Sequence, residues 1–577
     1  MKKTLSYLKN SKKEVILGPL FKMLEVVFEL CVPLIVSQIV DNGIKNSNGS
    51  DLKYVVLMCL ILLGFAILGL VSAVIAQYFS AKAAVRLSTD LRNNLFKKIQ
   101  SLQYSDLDEV GLSTLITRMT SDVNQVQTGV NMTLRLLLRS PVVIVGAVIV
   151  AFTISLNAGI VFLCTVPTLF LIVFLIMFIS IPLFSKSQER LDRVVELSQE
   201  NLQGVRVIRA FNKQNQEIET FRKDNKSLFS SQLFVGRLSL LINPLTYALI
   251  NIFIIILIYI SGKEVYSGSL SQGNVIALYN LISQILVETI KFASLIITIS
   301  KAIASSNRLD KILVLESKID YHNHPGGNEN YLLEFDNVSM NYRSSSKNSL
   351  ENISFKVKKG ETIGIIGGTG SGKTTLINVM NHFYDINQGT IFFKGQDLAS
   401  YDLTKLHSMI SIVPQKAKLF SGTIKENLLW GNEFATEEEI FKALEASQSL
   451  EIINKKKNGI EEIVEQNGNN FSGGQKQRLC IARALVKKCD ILILDDSTSA
   501  LDYATDAKLR KSLANFNKDL TIFIISQRTS SLMHCDQILV LDQGKLVGKG
   551  THEELLKTCE VYQEIHNSQF SKGEENE

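Results

Sequence analysis

Six apolar runs, each long enough to cross a bilayer, crowd into the first three hundred or so positions of this chain and constrain its fold more than anything else in it. Lipid offers a backbone no hydrogen-bond partners, so a spanning segment must be a helix of about 20 mostly apolar residues. The runs lie at residues 15–40, 54–79, 136–154, 159–184, 238–260 and 275–299. No charged residue occurs between Ser140 and Ser185, and the break at Asn157-Ala158-Gly159 divides that stretch into two antiparallel spans with almost no loop. After the sixth run the character changes. Short β-branched stretches and turns such as Lys358-Lys359-Gly360 read as a soluble α/β sequence.

Orientation follows from lysine and arginine. One set of connections is short: 41–53, 157–158 and 261–272. The other is long and basic, with Lys82, Arg86, Arg92, Lys97, Lys98 and Arg118 in the first and Lys186, Arg190, Arg193, Arg206, Arg209, Lys213, Arg222 and Lys223 in the second. The positive-inside rule places these, and both termini, in the cytosol. It also accounts for the net charge of +6 better than a nucleic-acid footprint does. Each long connection spans roughly fifty residues, more than a turn requires. A helical period persists through Ala84, Leu87, Leu91 and Leu95, and through Leu191, Val194, Leu197 and Leu202. Each connection therefore reads as two helical extensions joined by a short transverse helix, near 110–118 and 204–212. Within the spans, Glu25 and Glu29 sit in the first, and Glu288 and Lys291 in the sixth. Intramembrane charge is costly and marks a functional or cavity-facing position. The blander reading is that Glu288 and Lys291, three residues apart on a helix, neutralise each other. The N-terminal stretch is too polar and basic for a cleavable signal, so insertion is expected to rely on the first span. Seven scattered cysteines without a CxxC pair fit reduced thiols rather than a disulfide framework or zinc site.

The expected organisation is thus an all-α six-helix transmembrane domain with long cytosolic extensions over 1–310, a linker over 311–331, an α/β P-loop domain over 332–570 and a polar tail over 571–577. His322 and His324 in the linker read as solvated, since no second ligand cluster accompanies them. In the second domain, Thr362-Ile363-Gly364-Ile365-Ile366 reads as a buried strand. It runs into Gly367-Gly368-Thr369-Gly370-Ser371-Gly372-Lys373-Thr374, which fits GxxxxGK[ST] at every fixed position, and Thr375 opens the following helix. Glycines let the backbone wrap a polyphosphate, and the helix N-terminus adds its positive dipole end. Lys373 is placed to reach β- and γ-phosphates, and the Thr374 hydroxyl to ligate Mg²⁺. A second continuous apolar run, Ile491-Leu492-Ile493-Leu494, ends in Asp495-Asp496. Such a run marks a buried parallel strand whose C-terminal end faces the site. Asp495 is then the carboxylate that holds the Mg²⁺ shell.

Phe471-Ser472-Gly473-Gly474-Gln475-Lys476-Gln477-Arg478 resembles the signature motif of the ATP-binding cassette (ABC) family. Val413-Pro414-Gln415 resembles its Q-loop, with Gln415 reaching the metal. Ser499-Ala500-Leu501-Asp502 resembles its D-loop, and Tyr342 the aromatic that stacks on adenine. Six spans before one cassette make the whole chain similar to the bacterial multidrug and lipid half-transporters of that family. The resemblance implies ATP and Mg²⁺ as cofactors and residence in the plasma membrane among lipid. It implies a transported small molecule, and a second half-transporter subunit as partner. Two cassettes are expected to close head to tail around two ATP molecules. Ser472, Gly473, Gly474 and Gln475 of one then meet the phosphate loop of the other, while the transverse helices relay closure to the spans. Six spans exclude a soluble cassette acting on nucleic acid.

Two positions depart from the family pattern. Asp496 stands where glutamate normally orients the attacking water, and its carboxylate is shorter by a methylene, roughly 1 Å of reach. Gln527 stands where histidine is usual; its amide can hydrogen-bond a γ-phosphate but cannot become a cation. Both fall on one nucleotide site, so that site is expected to bind ATP and hydrolyse it slowly. The intact signature is expected to serve a different partner, giving a heterodimer. Two other arrangements stay open on sequence alone: a regulatory nucleotide-binding subunit without turnover, and a homodimeric exporter using a weak Asp496 base. The transported substrate is not legible.

Overall fold

A computed structural model describes residues 2–44, 52–315, 326–343, 348–497 and 501–570. Linker residues 316–325, Ser499 and Ala500 of the D-loop resemblance, and the tail 571–577 lie outside the described residues. The chain divides into two compact units, one of residues 1–100 and 113–315, the other of 101–112 and 316–577.

Among the described residues of the first unit, six helices are long and apolar enough to cross a membrane: Lys3–Ile44, Leu52–Gln100, Leu112–Ile154, Leu156–Gln203, Gln214–Tyr266 and Gln272–Val314. They contain the six runs read from sequence. The second has 49 residues; at 1.5 Å per residue it extends roughly 70 Å, more than twice a hydrocarbon core. The excess is the extension that the persisting period implied. Ala83, Ala84, Leu87, Leu91 and Leu95 form its buried stripe. In the other extension Val194 is buried, but Leu202 is 75% exposed at the tip, beside the short helix Val205–Ala210.

Charged residues lock the helix bundle at three levels. At the sixth span's start, Asp41 accepts hydrogen bonds from Gly273 N (2.8 Å) and Ser271 Oγ (2.5 Å). The approach is close enough that a Cβ on Gly273 would fall 2.2 Å from Ser37 O. Further along, Arg139 Nη2 reaches Glu29 Oε2 at 2.7 Å, Nη1 pairs with Glu288, and Ser140 Oγ donates to Glu288 Oε2 at 2.9 Å. Lys291 closes on Glu288 at 2.9 Å. The i,i+3 neutralisation expected for that pair therefore exists, inside a larger network. At the opposite end of the sixth helix, Asp122 is held by Arg118 (2.6 Å) and by Arg308 Nε (3.0 Å).

The second unit carries twelve strands among its described residues. In chain order they are β1 (Leu333–Met340), β2 (Leu350–Val357), β3 (Thr362–Ile366), β4 (Gln388–Phe393), β5 (Gln396–Asp397), β6 (Ile410–Val413), β7 (Gly422–Thr423), β8 (Ile463–Val464), β9 (Ile491–Asp495), β10 (Thr521–Ile525), β11 (Gln537–Asp542) and β12 (Lys545–Gly550). An antiparallel sheet runs β2-β1-β4-β5, and a six-stranded one runs β12-β11-β3-β10-β9-β6. The central strands β3, β10, β9 and β6 are mutually parallel, with Ile525 opposite both Ile365 and Asp495 and Val413 opposite Leu494. Buried on both faces, they are continuous apolar runs rather than alternating ones.

The short helix that packs within this unit is Tyr104–Val110, ahead of the 110–118 stretch expected to be transverse. Gly111, at φ 78°, ends it, and Leu112–Thr117 starts anew. Its anchors are polar and aromatic rather than periodic. Asp106 pairs with Arg343 at 3.0 Å, Asp108 accepts from Tyr384 Oη, and the Tyr104 ring lies 4.4 Å from that of Phe383. An apolar-period reading therefore could not place it.

Candidate nucleotide site

Parallel pairing brings four strand ends side by side, and each is followed within two residues by a glycine loop or a polar side chain. β3 delivers the loop 367–372 and then the helix Lys373–Met380, two residues longer at its start than the sequence marked. β9 delivers Asp495 and Asp496, β6 delivers Pro414 and Gln415, and β10, between β3 and β9, delivers Ser526 and Gln527. This is the carboxyl edge at which α/β sheets bind ligands.

The glycine loop is shaped by close approach. A Cβ on Gly367 would fall 2.1 Å from Leu541 O, and Gly370 and Gly372 adopt φ of 80° and 100°. Lys373 Nζ folds over the loop, donating to Gly367 O (2.8 Å), Gly368 O (2.7 Å) and Ser371 Oγ (3.3 Å). Burial lowers its pKa, against the pull of Asp496 and Asp495. The loop, with Ser349, Gln543 and Gly544, lines a cleft of about 430 Å³. Gln543-Gly544 was missed in the sequence. The only signal there is a glycine turn between β11 and β12, which Gly544 N ties to Ser371 O at 3.1 Å.

Burial raises the pKa of Asp495, the neighbouring Asp496 adds to it, and Lys373 opposes it. Two carboxylates facing one ammonium leave surplus negative charge, which suits a divalent cation. A Mg²⁺ held by Asp495, Thr374 and Gln415 would neutralise phosphate oxygens there. Asp496 adopts φ 45°, its backbone N donates to Ile525 O at 3.0 Å, and its Oδ2 accepts from Gln415 Nε2 at 3.2 Å. The residue that replaces the usual glutamate is thus tied to the Q-loop side chain. Gln527 is exposed, and Gln569 Nε2 donates to its carbonyl at 2.7 Å. Tyr342 Oη lies 3.2 Å from Thr375 Oγ1, and its ring is edge-on to Tyr384 at 5.0 Å. The adenine-stacking candidate is therefore anchored to the phosphate-loop helix.

The signature residues form a separate constellation at the start of helix Gly473–Val486. Ser472 Oγ accepts from Gln475 N at 3.3 Å, and Ser472 N donates to Gln475 Oε1 at 3.0 Å, a reciprocal capping box. Ser472 and Gly473 are exposed. Further along the same helix, Arg483 Nη2 donates to Lys418 O at 3.1 Å, tying it to the segment that follows Gln415.

A family model for the ABC transporter transmembrane region matches residues 15–289, and the ABC transporter model matches residues 350–499. The uncharacterized ABC transporter ATP-binding protein YfiB of Bacillus subtilis (strain 168) is 36% identical over 572 residues, 99% of each chain. The chain belongs to the ABC transporter family. An uncharacterized ABC transporter ATP-binding protein of Mycobacterium tuberculosis (strain ATCC 25618 / H37Rv) is 32% identical over 95% of each chain. The ATP-dependent lipid A-core flippase of Haemophilus influenzae (strain 86-028NP) is 28% identical over 92% of this chain and 91% of its own. The fold is shared with a solved structure, titled as a bacterial Atm1-family ABC exporter with ATP bound. That match has a TM-score of 0.80 at 22% identity, covering 97% of this chain and 99% of the other. This ABC transporter is therefore a multi-pass membrane protein and an ATP-binding transport ATPase, with one six-helix domain and one cassette on a single chain.

Proposed function

We propose that this ABC transporter is one half of a heterodimeric exporter that moves a small molecule, drug or lipid out across a bacterial plasma membrane. In this reading its own ATP site turns over slowly, and its signature completes the partner's. Both termini and the cassette are cytoplasmic, on the lysine and arginine asymmetry of the connections. The observation that carries the asymmetric assignment is Asp496: short, and engaged by Gln415 at 3.2 Å. With Gln527 in the histidine position, neither residue offers the usual means of activating water. The signature supports the other half of the reading. Ser472 and Gly473 are exposed at a capped helix N-terminus, where amides and dipole favour a phosphate presented by another subunit. A partner is further supported at the tip of the second inner connection, where Leu202, Val207 and Phe211 stand exposed. The lipid arm of the substrate class rests on the flippase relative; the sequence itself does not choose.

Within the chain's own site, Lys373 and the loop amides bind the triphosphate. Thr374, Gln415 and Asp495 hold the metal, and Tyr342 packs on the base. Asp496 orients water poorly. The test is ATPase activity of the purified chain in nanodiscs, alone and with a sister half-transporter. The lone chain is expected to bind ATP and hydrolyse it slowly. Asp496→Glu with Gln527→His is expected to raise turnover by about 10²–10⁴-fold, the usual worth of a general base. Brisk hydrolysis by the lone chain, abolished by Asp496→Asn, would falsify the asymmetric account.

A further inference from the structure

A cavity of about 530 Å³ opens among the spans, lined by Glu29, Val32, Pro33, Asn280, Ser283, Gln284, Val287, Glu288 and Lys291. Its charges are unevenly committed. Glu288, 3% exposed, is saturated: Arg139, Ser140 and Lys291 all reach its two oxygens. The side chains of Glu29 and Lys291 are 35% and 44% exposed, and each is tied to the network at one point, Glu29 through Arg139 and Lys291 through Glu288. Lys22, Arg139 and Lys291 balance Glu25, Glu29 and Glu288, so the network as a whole is neutral. The cavity wall therefore offers one accessible carboxylate and one accessible ammonium, from the first and sixth spans. Gln284 Oε1 is also buried on this wall without a hydrogen-bond partner. Val32, Pro33 and Val287 supply apolar surface beside them.

We infer that this cavity binds a zwitterionic ligand, its ammonium on Glu29 and its carboxylate or phosphate on Lys291, with apolar surface against Val32 and Val287. A singly charged ligand would engage one group and take the open face of the other out of water with nothing in its place, which is the costly outcome. This rests on the transport reading above and narrows its substrate class. The same chemistry can come from a lipid headgroup or from a free amino-phosphate or amino-carboxylate compound, so the experiment carries both.

The test is equilibrium binding of radiolabelled probes to the full chain in nanodiscs, without nucleotide. Four probes are used: dodecyl phosphoethanolamine, dodecyl methyl phosphate, dodecylamine and glycerophosphoethanolamine, which has no alkyl chain. The dodecyl zwitterion is expected to bind about tenfold or more tightly than either singly charged amphiphile, the worth of one charged hydrogen bond. Glu29→Gln is expected to erase that margin over dodecyl methyl phosphate, and Lys291→Gln the margin over dodecylamine. Both variants keep the Arg139–Glu288 pair, and an unchanged unfolding temperature confirms that they fold. Glycerophosphoethanolamine binding as well as the dodecyl zwitterion points to a soluble zwitterion; a large loss points to a lipid-like one. Equal binding of the three amphiphiles, or variants with unchanged preference, overturns the inference. ATP binding and hydrolysis, measured on the same nanodiscs, report separately on the transport reading.

Discussion

Asp495 sits under tension, which suits the metal-holding role proposed for it. Burial and a neighbouring carboxylate raise its pKa, and Lys373 offsets only part of this. A carboxyl whose folded pKa lies above its unfolded one favours the fold fully below the unfolded value, and loses that advantage as pH rises through the folded one. At neutral pH the charged Asp495 therefore works against stability. Asp495→Asn is expected to raise the unfolding temperature of the nucleotide-free chain at pH 7.5, and to raise it less at pH 5. The same substitution should remove the Mg²⁺-dependent part of ATP's protection against unfolding. A thermal melt at the two pH values, with ATP and with or without Mg²⁺, reads all three effects. A variant less stable at pH 7.5 would show that Asp495 is held by stabilising contacts rather than kept charged for a ligand.

The elements that carry the site were largely legible, because their physics is local. The glycine loop, the continuous apolar strands and their terminal carboxylates follow from short-range rules, and the ladders then bring Gln415 to Asp496, with Gln527 past the end of the neighbouring β10. What stayed hidden depends on folding partners far along the chain. Gln543-Gly544 meets the phosphate loop across β11 and β3, and Tyr104–Val110 docks through single polar contacts with no period to betray it. In the helix Gly473–Val486 a structural role and the proposed functional one fall on the same residue. Ser472 is its N-cap, and replacing such a cap by alanine costs about 0.5–2 kcal/mol. Aspartate caps as well as serine and suits the helix dipole, but it puts a negative charge where an incoming phosphate is expected. Ser472→Asp should therefore leave the unfolding temperature within the noise, whereas Ser472→Ala lowers it. In the assembled pair, Ser472→Asp should cut ATP hydrolysis by about 10²-fold or more, the scale set by loss of a positioned donor. Equal activity of the aspartate variant and the native pair would assign the serine to capping alone.

Across the whole molecule, the charges in the spans decide how the bundle holds together. Sequence analysis singled out Glu25, Glu29, Glu288 and Lys291 within the spans and passed over Arg139, near the start of the run 136–154. Its role emerges only when the first, third and sixth spans meet: the guanidinium lies 3.8 Å from Glu25 and 2.7 Å from Glu29, and pairs directly with Glu288. Removing one member of such a buried network strands the others in a low-dielectric interior. Arg139→Met is thus expected to destabilise the transmembrane unit by about 3–5 kcal/mol, the usual cost of breaking a buried pair from one side. Removing both charges leaves no orphan at the centre, so Arg139→Met with Glu288→Met should recover most of that loss, and Lys291 can then turn toward Glu29. The double variant, the two single variants Arg139→Met and Glu288→Met, and the native chain, unfolded by heat in the same detergent, separate the contributions, and the coupling is the non-additive part of the cycle. If all the variants melt with the native chain, the network contributes nothing to stability. Its retention in lipid would then be a matter of what the adjoining cavity holds.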